Sequence, residues 1–267
     1  MTKKTKENKK RDLTVLTPED HFHFECHQSL DCFTRCCRDI TIFLTPYDIL
    51  RMKNVLKITS GDFLTSYTDI LVGDAGLAVV VLRMRNDEKK SCPFVTSGGC
   101  KIYEDRPWAC RIYPLKPEST DITEKSGKEY YSVMDVPFCL GLAEDKVMTV
   151  ERWKTGQGIP IYLEMEKLFK KITMNKALSD KKIINKKIQE MYYMACYDLD
   201  RFKRFVFESK FLETFEVDTE TVEKIKHDDV ELYKFAMRWL EYGLLGQHVL
   251  KMKPDVMEAK KQELKNK

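Results

Sequence analysis

Apolar positions along this chain change their spacing partway through. Between residues 45 and 57, Ile49, Met52 and Leu56 recur at helical intervals. The run opens with "TPYD": Thr45 suits an N-cap, Pro46 the first helical position and Asp48 the N3 position. A shorter helix, "DFLTSY", is expected after Ser60 and Gly61. The stretch "GLAVVVL" at 76–82 is apolar without helical period, which predicts a buried strand over 77–85; "EYYSVMDV" predicts another over 129–136. From about residue 150 the helical period returns. Tyr162, Met165, Phe169 and Ile172 form one stripe. Ile188, Met191, Tyr192, Ala195, Leu199, Phe202 and Val206 form a stronger one, and Tyr233, Ala236, Met237, Leu240 and Leu244 a third. Such seams face a core rather than a cofactor. Cys196 lies beside the second stripe and reads as a buried, inert thiol.

The pattern implies an α+β protein. An irregular Cys-rich domain with short helices and a small sheet is followed by a mainly helical C-terminal region. The boundaries expected are a disordered basic tail over 1–20, a cysteine-cluster metal-binding domain over 21–145, a helical region packed on it over 146–252, and a charged tail over 253–267.

Composition narrows the function classes. With 43% hydrophobic and 33% charged residues in 267, a real core forms under a highly charged surface. Much of the net charge of +4 sits in the ends, "MTKKTKENKKR" and "KKQELKNK", which read as solvated tails. No basic stripe is interleaved with aromatics, so nucleic acid is not an expected partner. No window approaches the ~18 consecutive apolar residues of a membrane helix. The charged first segment has no apolar stretch behind it, so no signal peptide is expected. The compartment expected is therefore the cytoplasm, where thiols stay reduced.

That placement changes the meaning of nine cysteines. In a reducing compartment, clustered cysteines point to metal before disulfides. The first group is "CHQSLDCFTRCC", holding Cys26, Cys32, Cys36 and Cys37. The second is "CPFVTSGGCKIYEDRPWAC", with Cys92, Cys100 and Cys110; Cys139 follows after 28 intervening residues in "DVPFCLG". Between the groups lie 54 residues that read as helix, helix, strand, so the chain is expected to fold back and join them. Converging thiolates hold zinc, iron–sulfur clusters or copper(I). Pro93, Pro107, Pro114, Gly98 and Gly99 stiffen or tighten the loops that would present them. Four thiolates on one divalent ion would leave a charge of about −2, which Arg35, Arg38, Arg106 and Arg111 stand close enough to offset. Arg106 and Arg111 could bind an anionic substrate or cofactor, but neutralising the site and bracing the loop is the role expected of them. The adjacent Cys36 and Cys37 suit two metals, or one metal and one reactive thiol, better than a single tetrahedral ion. His21, His23 and His27, in "HFHFECH", could add nitrogen ligands, although such histidines are more often structural. The carboxylates Asp31, Asp39, Glu104 and Asp105 show no spacing that marks a general acid–base pair.

"CFTRCCR…LTPYDILRMK…CPFVTSGGCKIYEDRPWACRIYP" resembles the cysteine-cluster family often called YkgJ, usually described as a zinc- or iron-chelating domain. The resemblance covers residues 26 to about 140. Cys100, Tyr103, Arg106, Pro107, Cys110, Arg111 and Pro114 stand in register, and Cys32, Cys36 and Cys37 carry over. The family's usual opening, Cys-x-x-Cys-x-x-Cys-Cys, is stretched here to gaps of five and three residues before Cys36. The resemblance implies metal binding: iron, as an iron–sulfur cluster or thiolate-bound ions, or alternatively zinc. A more distant likeness to a flagellin lysine methylase implies methyl transfer from S-adenosylmethionine to a protein lysine. No glycine-rich strand–turn–helix for that cofactor and no Cys-x-x-x-Cys-x-x-Cys accompany it.

Two function classes follow. In the first the metal is catalytic or redox-active, and the chain is an oxidoreductase or a protein-modifying enzyme. In the second the metal is structural zinc, and the helical half binds a protein partner. The ligands expected under either are Cys26, Cys32, Cys36, Cys37, Cys92, Cys100, Cys110 and Cys139.

Overall fold

Thr45 opens the helix Pro46–Leu56 as its sequence predicts. Its side chain accepts from the Asp48 N–H, and Asp48 answers by accepting from the Thr45 N–H, a closed capping box. The computed structural model describes residues 15–73, 75–118, 128–178 and 185–265. Of the basic tail expected over 1–20, residues 1–14 lie outside the described residues; Leu16 pairs with Tyr131. The architecture is α+β, with short helices and two- or three-stranded sheets. The chain divides into two compact units, each built from two stretches: residues 1–35 with 111–159, and residues 36–110 with 160–267.

The larger unit, 36–110 and 160–267, holds the main core. The predicted strand at 77–85 is Ala78–Leu82, the middle strand of a three-stranded antiparallel sheet with Phe43–Leu44 and Thr68–Val72 on either side. Val80 is completely buried beneath it. The helix expected at "DFLTSY" runs Ser60–Tyr67. The first and third stripes lie on the helices Ile159–Thr173 and Asp229–Leu245, where Met165, Ile172, Ala236 and Leu240 are fully buried.

The second stripe is interrupted. It spans Lys186–Cys196 and Leu199–Glu208, because Asp198 caps the latter by accepting from the Arg201 N–H. The break lets Asp198 also take the Ser60 hydroxyl at 2.6 Å, while Asp200 takes the Ser60 N–H at 2.6 Å. Lys53, 5% exposed, bonds Asp229 at 3.0 Å and Asp200 at 3.3 Å. Cys196 is buried, and burial pushes its thiol well above the ordinary range, as an inert core cysteine should be.

The smaller unit, 15–35 and 111–159 as described, is built on Phe22 and Phe24 packed edge-on to Trp153, at 6.2 and 5.4 Å between ring centroids. The strand expected at 129–136 is shorter, Tyr131–Val133, and pairs with Leu115–Pro117; His21–His23 pairs with Val147–Thr149. Buried Lys154 bonds Glu129 and Glu151. Among the described residues no helix is long and apolar enough to cross a membrane.

Candidate metal centre

The vicinal cysteines and the second cysteine group meet through backbone. The Cys92 N–H donates to the Cys37 carbonyl at 2.8 Å, Arg38 and Ser91 form an antiparallel bridge, and the Asp39 N–H donates to the Lys90 carbonyl at 3.1 Å. Both Asp39 and Lys90 take positive φ, 46° and 44°, so two tight turns face each other there. A salt bridge of 2.9 Å between their side chains closes the contact. Segments 54 residues apart are thereby held side by side.

Local turns aim the remaining thiols. The Val95 N–H bonds the Cys92 carbonyl at 3.2 Å, and Val95–Thr96 pairs with Gly99–Cys100 in a two-residue hairpin. Gly99 sits at φ 114°, a backbone setting that a side chain would oppose. Cys110 lies on the helix Trp108–Ile112, and its N–H reaches the Pro107 carbonyl at 2.9 Å. The start of that helix is fixed from elsewhere: the Trp108 N–H donates at 2.7 Å to Asp48, which is 1% exposed. Asp48 thus caps two helices, its own and the one that carries Cys110. Cys92, Cys100, Trp108 and Cys110 all pack against the core of this unit.

The thiols feel one another. The Cys36 and Cys37 sulfurs are 4.0 Å apart. The hydrogen bond from Cys37 draws the Cys36 thiol down to about 7, and Cys37, as donor and by burial, is pushed up. Burial raises Cys92, Cys100 and Cys110, and for Cys110 the neighbouring Cys92, Cys100, Asp48 and Cys36 add to it. Arg106 works against this at Cys100. Its guanidinium is buried, 3.8 Å from the Tyr103 ring centroid, and donates to the Tyr103 carbonyl. Arg111 donates at 2.7 Å to the Gln157 carbonyl in the smaller unit, the loop-bracing role expected of it.

Cys37 feels Cys92 and Cys110, and Cys110 feels Cys36, Cys92 and Cys100, so the five thiols form one linked set of the soft donors that zinc or iron requires. The 4.0 Å separation of Cys36 and Cys37 is close to the edge of a tetrahedral thiolate site, about 3.8 Å for metal–sulfur bonds near 2.3 Å. Among the described residues, the group whose three donor atoms all lie within 4.8 Å of one another is not made of thiols; it is Glu25, His27 and Glu144.

The other expected ligands lie in the smaller unit. The Leu140 N–H donates to the Cys32 sulfur at 3.3 Å, so the backbone just after Cys139 abuts Cys32. The Arg35 guanidinium lies 4.8 Å from the Phe138 ring centroid. Cys26 is exposed. His21 and His23 are exposed on their strand, while His27 faces Glu144 at 3.6 Å. The sequence reading missed the second bond of Asp48 and the Glu25–His27–Glu144 group; the approach of Glu144 across more than a hundred residues leaves no local signal.

Fold and donor set together define a cysteine-cluster metal-binding domain of mixed α+β architecture. Residues 25–136 match the model of the CxxCxxCC family, "Putative zinc- or iron-chelating domain". Cys139 lies just beyond the matched residues. No curated protein and no solved structure matches the chain, so the likeness to flagellin lysine methylase gains no support.

Proposed function

We infer that Cys36, Cys37, Cys92, Cys100 and Cys110 hold iron, as a cluster or as thiolate-bound ions, or zinc. The observation that carries this reading is the pairing of Cys37 with Cys92, which joins the vicinal thiols to the second group. A bound ion would supply positive charge to thiols that otherwise raise one another's proton affinity, and an iron centre would add one-electron chemistry. The residues' own parts are distinct. Cys36 is the thiol most ready to ionise; Arg106 offsets charge at Cys100; Asp48 fixes the start of the Cys110 helix.

Five thiols are one more than a closed four-ligand site needs, which supports a reactive centre of oxidoreductase or protein-modifying type over a purely structural one. Cys32 and Cys139 are proposed as redox thiols or as ligands of a further ion, with exposed Cys26 as an additional thiol. Clustered thiols that serve as metal ligands suit a reducing compartment such as the cytoplasm. A second reading, structural zinc with a partner-binding surface, has one observation in its favour. The edge strand Thr68–Val72 leaves Ile70, Leu71 and Val72 exposed, as a surface that takes a protein partner would.

Reduction by dithionite, followed by absorption on protein purified without oxygen, separates the readings. A brown chromophore that bleaches supports the iron, redox-active reading. A colourless zinc protein that unfolds on chelation supports the structural one.

A further inference from the structure

A second donor group, free of cysteine, stands in the smaller unit. His21–His23 pairs antiparallel with Val147–Thr149, and the Phe24 N–H extends the ladder to the Lys146 carbonyl at 3.0 Å. The Glu25 N–H then bonds the Gly141 carbonyl at 3.0 Å. Any Cβ at Gly141 would stand 2.4 Å from the Glu25 carbonyl oxygen, so this approach depends on glycine. The turn Leu140–Ala143 is pressed onto residue 25 and delivers Glu144 to face it. Donor atoms of Glu25, His27 and Glu144 end within 4.8 Å of one another.

Surface ion pairing leaves this arrangement incompletely explained. Two carboxylates share the spot with one lysine, Lys146, which sits 2.8 Å from Glu25. Two carboxylates set against the single ammonium of Lys146 leave an excess of acceptor oxygens at the spot. The imidazole is also oriented. Its Nδ1 is 3.1 Å from the Ser29 hydroxyl, which turns Nε2 toward Glu144 at 3.6 Å. An oxygen partner on one ring nitrogen, with the other left to face the ion, is how metal-ligating histidines are commonly held. Side-chain exposures of 39% for His27, 35% for Glu144 and 39% for Glu25 leave positions open to water or a small anionic ligand.

We propose that Glu25, His27 and Glu144 form a second metal site, selective for a divalent first-row cation that accepts oxygen and nitrogen donors, such as Mn²⁺ or Fe²⁺. Two carboxylates and one imidazole form a harder donor set than the thiols. Lys146 competes with the cation for Glu25. The site stands independently of the thiolate reading, because it shares no ligand with it.

Mn²⁺ is the probe, since thiolate sites disfavour it; its free-ion paramagnetic resonance signal is followed as full-length protein is added. The expected result is saturable binding of about one Mn²⁺ per chain. His27→Ala and Glu144→Gln each weaken it about tenfold or more. Lys146→Gln tightens it about fivefold, the worth of an exposed ion pair. Zinc or iron held by the thiols, read from thiolate-to-metal absorption, stays unchanged in all three variants, and Mn²⁺ binding persists in Cys110→Ser. Absent binding at millimolar Mn²⁺, or binding indifferent to His27 and Glu144, would overturn the site and leave only surface ion pairs.

Discussion

Asp48 shows how much one side chain can fix. It accepts the Thr45 N–H and hydroxyl at 2.7 and 2.8 Å and the Trp108 N–H at 2.7 Å, all with almost no solvent. Replacing it with alanine strands buried donors at the starts of two helices. Asp48→Ala is expected to lose about 2–4 kcal/mol of stability by urea denaturation and to lower bound metal through Cys110. An Asp48→Ala protein with wild-type metal content would show that the Cys110 helix finds its place without this bond. The first half of the role of Asp48 was legible in "TPYD", because capping is local and needs only a three-residue spacing. Its bond to Trp108, 60 residues away, was not.

Between elements, the least legible feature is the polar junction of three helices, Pro46–Leu56, Leu199–Glu208 and Asp229–Leu245, at Lys53. Hydrophobic spacing makes one continuous stripe from Ile188 to Val206, yet the first helix ends at Cys196 and Asp198 caps the next. An aspartate that bonds backbone can outweigh the apolar pattern around it. At Asp200 burial raises the carboxyl pKa, but the Ser60 N–H and Lys53 more than offset that, and it lies below its ordinary 3.8. A carboxyl lowered on folding stabilises the fold above its unfolded pKa and loses that contribution as pH falls through the folded one. Asp200→Asn is therefore expected to be less stable than wild type at pH 7, with the gap narrowing below about pH 4. A gap constant down to pH 2 would remove Asp200 as its cause. In the smaller unit, Gly141→Ala should cost about 1–3 kcal/mol, because a Cβ there meets the Glu25 carbonyl oxygen. An unchanged denaturation midpoint would mean that the turn has room to shift.

Across the whole molecule, sequence and structure agree on class: the α+β character, the helical stripes, the buried Cys196 and the likeness of residues 25–136 to a metal-chelating family were all readable. Periodicity and cysteine spacing carry such information within short windows. The pairing of 1–35 with 111–159, and of 36–110 with 160–267, depends on contacts between distant segments, which no short window encodes. The same holds for the thiols. Their number and loops are visible in the chain, whereas the turns at Asp39 and Lys90 that bring Cys37 to Cys92 appear only once it is folded. Because Cys92, Cys100 and Cys110 pack against the main core, metal held there should stabilise that core. Chelation is expected to lower the thermal midpoint of the wild type and to leave Cys110→Ser nearly unaffected; equal shifts in both would place the stabilising ion elsewhere.

The central claim is that these thiols hold a metal. Elemental analysis of anaerobically purified wild type, Cys37→Ser and Cys110→Ser tests it most directly. Iron or zinc in the wild type, clearly reduced in both variants, is the predicted result; wild-type protein without either metal, or variants that keep the full amount, would contradict it.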